Sequence, residues 1–370
     1  MNYLFINSVY GVRSTGKLIA AKCRELTQQG HKCAVAYGRE TMEDANVKQI
    51  SIGKRRDYLC HAFLSRIMDC QGFLSARATR AFLKELEDFQ PDVVWIHNLH
   101  GYYLQVEILF TWLKAHPSVK VYWTLHDCWA ITGHCSHFTV AKCERWRSGC
   151  FRCPQKREYP SSYVLDRSAK NYARKKTAFT GVTDLTIITP SQWLAGLVKQ
   201  SYLSKYPVIV QENQIDTAIF KPTHGTFRET YHLEHKWIVL GVAVGWEETK
   251  GLPDILKLRA KLDDRFVIVL VGMTPRQIRH LPKGILGIER TRNQVELAQI
   301  YTAADVFVNP THQDNYPTVN LEARACGTPV VTYNVGGSPE SAGWEHIVEE
   351  NDIDGLAARI RRLVEKTHEG

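Results

Sequence analysis

A strand, a polar loop, a helix and a second strand follow one another within residues 305–332, and this unit decides what kind of sheet the chain can build. Asp305–Asn309 is a short apolar run typical of a buried strand. A helix is predicted to open near Pro317 and to stop before Gly327, because proline suits the first helical turn and glycine follows the last one. Pro329–Thr332 is the next predicted strand. Strands that alternate with helices in this way indicate an α/β fold with a parallel sheet.

The start of this helix is a candidate anion-binding site. Backbone N–H groups around Tyr316–Val319 lie at a helix end where the helix dipole also favours negative charge. Asp314 lies in the loop before this end, and Glu322 lies about 7 Å along the helix at ~1.5 Å rise per residue. Such an arrangement suits a nucleotide-sugar, with the pyrophosphate at the helix start, sugar hydroxyls toward Asp314 and ribose hydroxyls toward Glu322. A capped surface helix with ordinary acids is the alternative.

Residues 311–340 resemble the E-x7-E signature of glycosyltransferase family 4, the retaining nucleotide-sugar transferases of the GT-B fold. The signature here is Asp314-x7-Glu322, and its first acid is one methylene shorter than the Glu of the family. The further matching residues are Ala323, Cys326-Gly327-Thr328-Pro329-Val330-Val331, Gly336, Gly337, Pro339 and Glu340. The Asp-Asn-Tyr-Pro form is similar to transferases of colanic-acid and related exopolysaccharide synthesis.

This resemblance implies a fold, a reaction and a set of site residues. The implied fold is two doubly wound Rossmann-like domains that face a central cleft. The implied reaction moves a hexose from a UDP- or GDP-sugar, with retention, to a glycan acceptor such as a lipid-linked oligosaccharide of bacterial exopolysaccharide synthesis. No cofactor is expected to be needed for catalysis. The implied catalytic residues are Asp314 and His126, and the implied donor-binding residues are Gly16, Lys250, Arg292, Asn315, Tyr316, Pro317, Thr318 and Glu322.

The chain length of 370 residues suits two domains rather than one. The first is predicted over residues 1–215, with a Cys-rich insertion at 128–154, and the second over residues 222–353. A helix at 354–370 is expected to cross back to the first domain, as in similar GT-B proteins. A hydrophobic content of 44% predicts real cores, yet no run approaches the ~20 apolar residues of a membrane span. Because no secretion signal is evident at the N-terminus, a cytoplasmic protein is expected.

The formal net charge of +9 favours anionic partners without choosing among them. Residues 54–90 predict one or two helices in which arginines alternate with apolar side chains. A basic amphipathic helix can lie on an anionic membrane, which would place the protein on the inner face of the membrane. A core-packed helix with a solvated charged face is the alternative. Nucleic acid is not an expected partner, since the basic residues are not grouped with stackable aromatic side chains.

Each predicted domain opens with a strand, a glycine-containing turn and a helix. In the first, Gly11-x4-Gly16-Lys17 is a partial P-loop, but Leu18 stands where that motif needs Ser or Thr to hold Mg²⁺. A P-loop-like ATPase is therefore an alternative function, and a glycine turn at the donor cleft is the favoured reading. In the second, Lys250-Gly251 matches the family turn that binds the donor diphosphate, while the Arg position of that turn holds Trp246. Arg292 lies in a loop that could wall the nucleobase.

Histidines follow two predicted strands of the first domain, where ligands of parallel sheets gather. His97 and His100 follow the strand that ends at Ile96, and His126 follows the strand that ends at Leu125. His126 matches the histidine that contacts the donor sugar in the family, and the same role is carried over only weakly to His97 and His100.

Four cysteines of the insertion have a spacing that can bind zinc. The ligands of this predicted structural zinc site are Cys135, Cys143, Cys150 and Cys153, the last two in a C-x2-C pair. Reduced cysteines without a metal are the alternative. A non-enzymatic alternative to the transferase is consequently a zinc-containing protein that binds nucleic acid.

Overall fold

The computed structural model describes residues 1–368, and the side chains of residues 1–365. It divides into two units, Met1–Glu212 and Asn213–Gly370, each built on one parallel sheet. The sequence predicts this division a few residues later, between residues 215 and 222. Residues 369 and 370, which end the predicted C-terminal helix, lie outside the described part.

The sheet of the first unit has seven parallel strands in the order β3-β2-β1-β4-β5-β6-β7. The strands are β1 Asn2–Tyr10, β2 Lys32–Thr41, β3 Lys48–Ser51, β4 Val93–Ile96, β5 Lys120–Thr124, β6 Leu185–Thr189 and β7 Val208–Val210. The strand order reverses between β1 and β4. In doubly wound sheets such a reversal opens a crevice at the carboxyl ends of the strands.

Helices cover both faces of this sheet. They are α1 Arg13–Gln28, α2 Arg55–Met68, α3 Ala76–Phe89, α4 Val106–Ala115, α5 Ser168–Phe179 and α6 Gln192–Lys199. Helix α1 buries Ile19, Cys23 and Leu26, which share one face at helical spacing, against β1 and β2. A larger core, which includes Trp123 and Phe110, fills the other face. The Cys-rich insertion is mostly irregular, with short 3-10 turns at Trp129–Ile131 and Arg145–Arg147.

The second unit has six parallel strands in the order β10-β9-β8-β11-β12-β13. The strands are β8 Trp237–Val242, β9 Phe266–Val271, β10 Ile285–Ile288, β11 Val306–Asn309, β12 Val330–Tyr333 and β13 Ile347–Val348. The helices are α7 Phe227–Thr230, α8 Leu252–Lys261, α9 Pro275–Ile278, α10 Gln294–Ala303, α11 Thr318–Ala325, α12 Ser338–Ala342 and α13 Ile353–His368. The strand order reverses between β8 and β11, so the turn after β8 and the loop after β11 flank the switch point.

The predicted α/β class with two doubly wound parallel sheets is confirmed. Helix α13 buries Leu356, Ala357 and Ile360 in a core of the second unit, together with residues of α8 and β12. Its crossing to the first unit stays a prediction. Among residues 1–368, none of the helices combines the length and the apolar character that a membrane crossing requires.

Candidate functional site

The loop between β11 and α11 brings two of the predicted site residues together. Lys250 ends a 3-10 turn after β8, and Asp314 lies in the loop after β11. The Lys250 Nζ donates to Asp314 Oδ2 at 2.8 Å. The two side chains keep 37% and 22% of their surface exposed. An accessible cation and an accessible carboxylate therefore lie side by side just before the start of α11.

A glycine lets the two loops approach each other. Gly251 has a φ of +78°, and a Cβ there would lie 2.1 Å from the Pro310 carbonyl oxygen. The backbone N–H of His312 donates to the Thr249 carbonyl at 2.9 Å, which ties the turn to the loop. In the Lys250-Gly251 pair, the lysine therefore supplies a charge and the glycine allows a close backbone contact that a larger residue would prevent.

The glycine pair after β12 fixes the backbone of Asp314. Gly336 has a φ of +59°, and a Cβ there would lie 2.0 Å from the Asp314 carbonyl oxygen. The Gly337 N–H donates to the same oxygen at 3.4 Å. The Gly-Gly run that accompanies the acidic pair in the sequence thus holds the first acid in place.

His312 anchors the same loop and was missed by the sequence reasoning. Its Nδ1 lies 2.8 Å from Glu350 Oε1, and its Nε2 lies 3.1 Å from Asp254 Oδ2. The Tyr333 hydroxyl also donates to Asp254 Oδ2, at 3.0 Å. These partners are far from residue 312 in sequence, so no local spacing could reveal the clamp. It fixes the chain two residues before Asp314.

Helix α11 carries the second predicted acid. The Tyr301 hydroxyl donates to Glu322 Oε2 at 3.0 Å, and Glu322 remains partly exposed. Burial, followed by the nearby Glu322 carboxylate, raises the pKa of Tyr301, so this hydroxyl stays protonated as a donor. Asn320 faces the interior, where it accepts from Asn309 Nδ2 at 2.9 Å. This hydrogen bond attaches α11 to β11.

The residues predicted to form the anion site surround the start of α11. Pro317 is the N-cap and Thr318 the first helical residue, while Asn315 and Tyr316 are each only 4% exposed. The first N–H groups of a helix have no carbonyl partner one turn earlier, so they are available to an anion. Asp314 precedes Thr318 by four residues and Glu322 follows it by four.

Gly16 and Arg292 lie outside the segment that forms the start of α11. Helix α1 begins at Arg13, so Gly16 is a buried helical residue rather than part of the turn. A Cβ at Gly16 would lie 3.2 Å from Val9 Cγ2, which indicates close helix–strand packing. A P-loop needs a longer loop before its glycine and lysine, so this turn does not have P-loop geometry. Arg292 is exposed, and its Nε lies 3.3 Å from Glu296 Oε1. The donor-binding roles of both residues stay predictions.

The strand-end histidines of the first unit form a stacked pair. His97 Nδ1 and His126 Nε2 are 2.9 Å apart, and their ring centroids are 5.2 Å apart. Burial lowers the pKa of His126 to about 4 and that of His97 well below its ordinary value. Both rings are therefore uncharged at neutral pH. In this form each ring can donate one hydrogen bond and accept another, and neither brings a positive charge to the cavity.

His100 belongs to the same cavity but has different partners. Its Nε2 lies 2.7 Å from Asp127 Oδ2, and its Nδ1 lies 3.0 Å from the Tyr159 hydroxyl. Burial alone would raise the pKa of Asp127, but His100, together with His137 and the Trp129 N–H, outweighs burial and the pKa falls to about 2. His97, His100, His126 and Asp127 all line one cavity at the ends of β4 and β5. Both ring nitrogens of His100 therefore have protein partners, Tyr159 and Asp127.

The four predicted zinc ligands line one cavity in the insertion, but the structure does not support a zinc site. Among residues 1–365, no three His, Cys, Asp or Glu side chains are arranged to hold a metal ion. The Cys135 and Cys153 thiols hydrogen-bond to each other, and Cys150 Sγ accepts the Gly133 N–H at 3.1 Å. The hydrogen bond from Cys135 lowers the pKa of Cys153 to about 7. Spacing predicted the cluster but not the directions of its sulfurs.

Comparison with known proteins relates the chain to glycosyltransferases. A family model described as "Glycosyl transferases group 1" matches residues 237–366. A putative colanic acid biosynthesis glycosyl transferase, WcaC of Escherichia coli (strain K12), is 26% identical over 283 residues, which cover 70% of this chain and 65% of that relative. The match thus spans slightly less than two thirds of the length of that curated relative.

Solved structures show the same fold over nearly the whole chain. Sucrose-phosphate synthase from Thermosynechococcus elongatus has a TM-score of 0.69 at 16% identity, and the match covers 99% of this chain and 90% of that one. Anabaena Alr3699/HepE, solved in complex with UDP, has a TM-score of 0.65 at 14% identity, with 99% and 91% covered. At these identities the likeness concerns the fold alone. The expected GT-B fold class is confirmed by it.

Proposed function

We propose that this chain is a retaining glycosyltransferase, on the premise that its residues 237–366 match the family model described as glycosyl transferases group 1. The proposed reaction moves a hexose from a nucleotide diphosphate sugar to a glycan acceptor. The observation that carries the proposal is the Lys250–Asp314 pair beside the start of α11. It places a cation, a helix N-terminus and a carboxylate next to one another, which are the groups that a sugar diphosphate needs.

In the proposed mechanism the second unit stabilises the departing diphosphate. Negative charge grows on the phosphate oxygen as its bond to the sugar breaks, and preorganised donors aimed at that charge lower the barrier. Lys250 and the N–H groups that open α11 supply those donors. Asp314 holds sugar hydroxyls, and Glu322, oriented by Tyr301, holds the ribose hydroxyls. A donor phosphate oxygen accepts the proton of the acceptor hydroxyl, so no side chain is assigned as a general base.

The proposed donor is a UDP- or GDP-sugar, and the proposed acceptor is a lipid-linked glycan of exopolysaccharide synthesis. The UDP complex of the structurally similar HepE supports a nucleotide donor. The likeness to a colanic acid transferase supports a polysaccharide acceptor. We assign His126 to the reacting face of the donor sugar, where its uncharged ring would hydrogen-bond a hydroxyl.

Donor binding tests the proposal directly. In a thermal-shift panel of nucleotide-sugars, oligonucleotide and ATP, we expect a UDP- or GDP-sugar alone to raise the melting temperature. We expect Glu322→Ala to weaken that binding about 10- to 100-fold, because a hydrogen bond to a charged group contributes ~1.5–3 kcal/mol. Glu229→Ala, an exposed acid on α7, is the matched control and should bind as the wild type does. Equal affinity of all three proteins would remove Glu322 from the site, and a shift with oligonucleotide alone would reject the transferase.

The first unit carries a surface suited to an anionic membrane, where a lipid-linked acceptor would lie. Leu59 and Phe63, one helical turn apart on α2, are 51% and 62% exposed. The segment 163–165 adds exposed Tyr163 and Val164 beside them, because the Tyr163 N–H donates to the carbonyl of Arg66 at 2.7 Å. Exposed Lys54, Arg55 and Arg56 lie at the start of the same helix. Apolar side chains next to basic ones are what an interfacial surface needs.

Vesicle co-sedimentation tests this surface. We expect binding to vesicles that contain anionic phosphatidylglycerol and much weaker binding to neutral phosphatidylcholine vesicles. Phe63→Ser should reduce the bound fraction several-fold, since each buried CH₂ contributes ~0.8 kcal/mol. Val295→Ser, at a residue of the second unit that is 48% exposed, is the control. If Phe63→Ser binds anionic vesicles as tightly as the control, this surface is not the one that meets the membrane.

A further inference from the structure

The cavity of the Cys-rich insertion has no part in the proposed glycosyl transfer. It is lined by the Cys135, Cys143, Cys150 and Cys153 thiols and by the side chains of His134 and Trp146. All four cysteines are unbridged. Cys135 is buried, whereas Cys153 is partly exposed.

His134 is held in an orientation that serves this cavity. Its Nδ1 lies 2.6 Å from Asp69 Oδ1, and both residues are buried. Its Nε2 is buried without a hydrogen-bond partner among the described residues, although unpartnered buried polar atoms are rare. His134 and Cys153 interact electrostatically. The arrangement of a carboxylate, an imidazole and a thiol is one that favours the thiolate form.

Two hydrogen bonds also favour negative charge on the Cys153 sulfur, and a buried lysine lies near the other cysteines. Cys153 accepts hydrogen bonds from the Cys135 thiol and from the Gln155 backbone N–H. Lys175 is buried, and its Nζ donates to the carbonyls of Trp129 and Thr132 at 2.8 and 3.1 Å. Burial lowers the pKa of Lys175 to about 7, and the Cys150 and Cys135 sulfurs oppose this shift without outweighing it.

We propose that Cys153 and Cys135 form a peroxide-sensitive dithiol, with Cys153 as the attacking sulfur. The Cys153 thiolate attacks one oxygen of hydrogen peroxide, the O–O bond breaks, and the departing hydroxide takes up a proton to leave as water. The resulting sulfenic acid is attacked by the Cys135 sulfur, which forms the disulfide and releases a second water. In balance, two thiols and one peroxide give one disulfide and two waters, and a dithiol reductant reverses the change.

Peptide mapping of the full chain tests this proposal without any variant. After brief treatment with hydrogen peroxide, non-reducing digestion and mass spectrometry should show a Cys135–Cys153 linkage that dithiothreitol removes. Cys153→Ser should abolish the linkage, and Cys143→Ser should leave it intact. His134→Asn should slow its formation about tenfold while the same pair still forms, which loss of a purely structural contact would not do.

Two results would overturn the dithiol. One is a different pairing, or no pairing, in the treated wild type. The other is stoichiometric zinc in the purified protein by elemental analysis, with all four thiols protected from alkylation until a chelator is added. Neither result depends on transferase activity, so failure here and failure of the proposed function can be told apart.

Discussion

Lys250→Ala is expected to lower kcat about 100- to 1,000-fold, the usual loss when one preorganised donor to a developing anion is removed. The effect should be large because this turn has no second cation. The position at which the family carries an arginine holds Trp246, which is 3% exposed and whose Nε1 donates to the Val271 carbonyl at 2.9 Å. Trp246 is therefore part of the core, so in the proposed mechanism only Lys250 and the helix N–H groups would stabilise the charge on the diphosphate.

The control for this prediction is Lys261→Ala. Lys261 lies in the same unit and also pairs with an aspartate, Asp354, at 2.9 Å, but on the surface of α8. Its replacement should leave kcat unchanged. Lys250→Arg should recover part of the activity, because it keeps the charge with a different geometry. Initial rates at saturating donor, with the donor Kd measured separately, would show whether the loss lies in the chemical step. A kcat for Lys250→Ala within a few-fold of the wild type would contradict the assignment of Lys250 to the leaving diphosphate.

The sequence could predict those features that depend on neighbouring residues. Apolar runs that alternate with helices specify the parallel sheets, and the Asp314-x7-Glu322 spacing places one acid on each side of a helix start. Gly251 and Gly336 belong to the sequence patterns that resemble the family. The structure explains why glycine is needed there: a Cβ would collide with the carbonyl oxygen of Pro310 or of Asp314.

The features that were missed depend on contacts between distant residues or on side-chain direction. The clamp on His312 needs Asp254 and Glu350, and nothing in its own neighbourhood indicates them. The four insertion cysteines are close together in the chain, but spacing does not determine where each sulfur points. The Gly11-x4-Gly16-Lys17 pattern and the family resemblance predict a turn at Gly16, yet the helix begins before Gly16 and uses its small size for packing.

Asp69→Asn is expected to lower the free energy of unfolding by about 3–5 kcal/mol, since loss of one partner leaves a buried charge uncompensated. Asp69 is 3% exposed, and its two carboxylate oxygens accept from His134 and from the Arg167 N–H, the latter at 2.7 Å. It also ends α2 in the left-handed region, with a φ of 50°. Asparagine tolerates that conformation, so the variant removes the charge with little backbone strain.

The pH dependence of this loss identifies its cause. Burial disfavours the charged imidazole, but the hydrogen bond and charge of Asp69 outweigh burial and raise the pKa of His134 above its ordinary value. A raised folded-state pKa means that the stabilisation is complete below about pH 6.5, the usual histidine value, and is lost as pH rises through the folded-state pKa. The deficit of Asp69→Asn in guanidinium unfolding should therefore be larger at pH 6 than at pH 9. Asp88→Asn, an exposed acid on α3, should change stability by less than about 0.5 kcal/mol at either pH. An equal deficit at both pH values would mean that Asp69 stabilises the first unit through its backbone-directed hydrogen bonds rather than through its charge on His134.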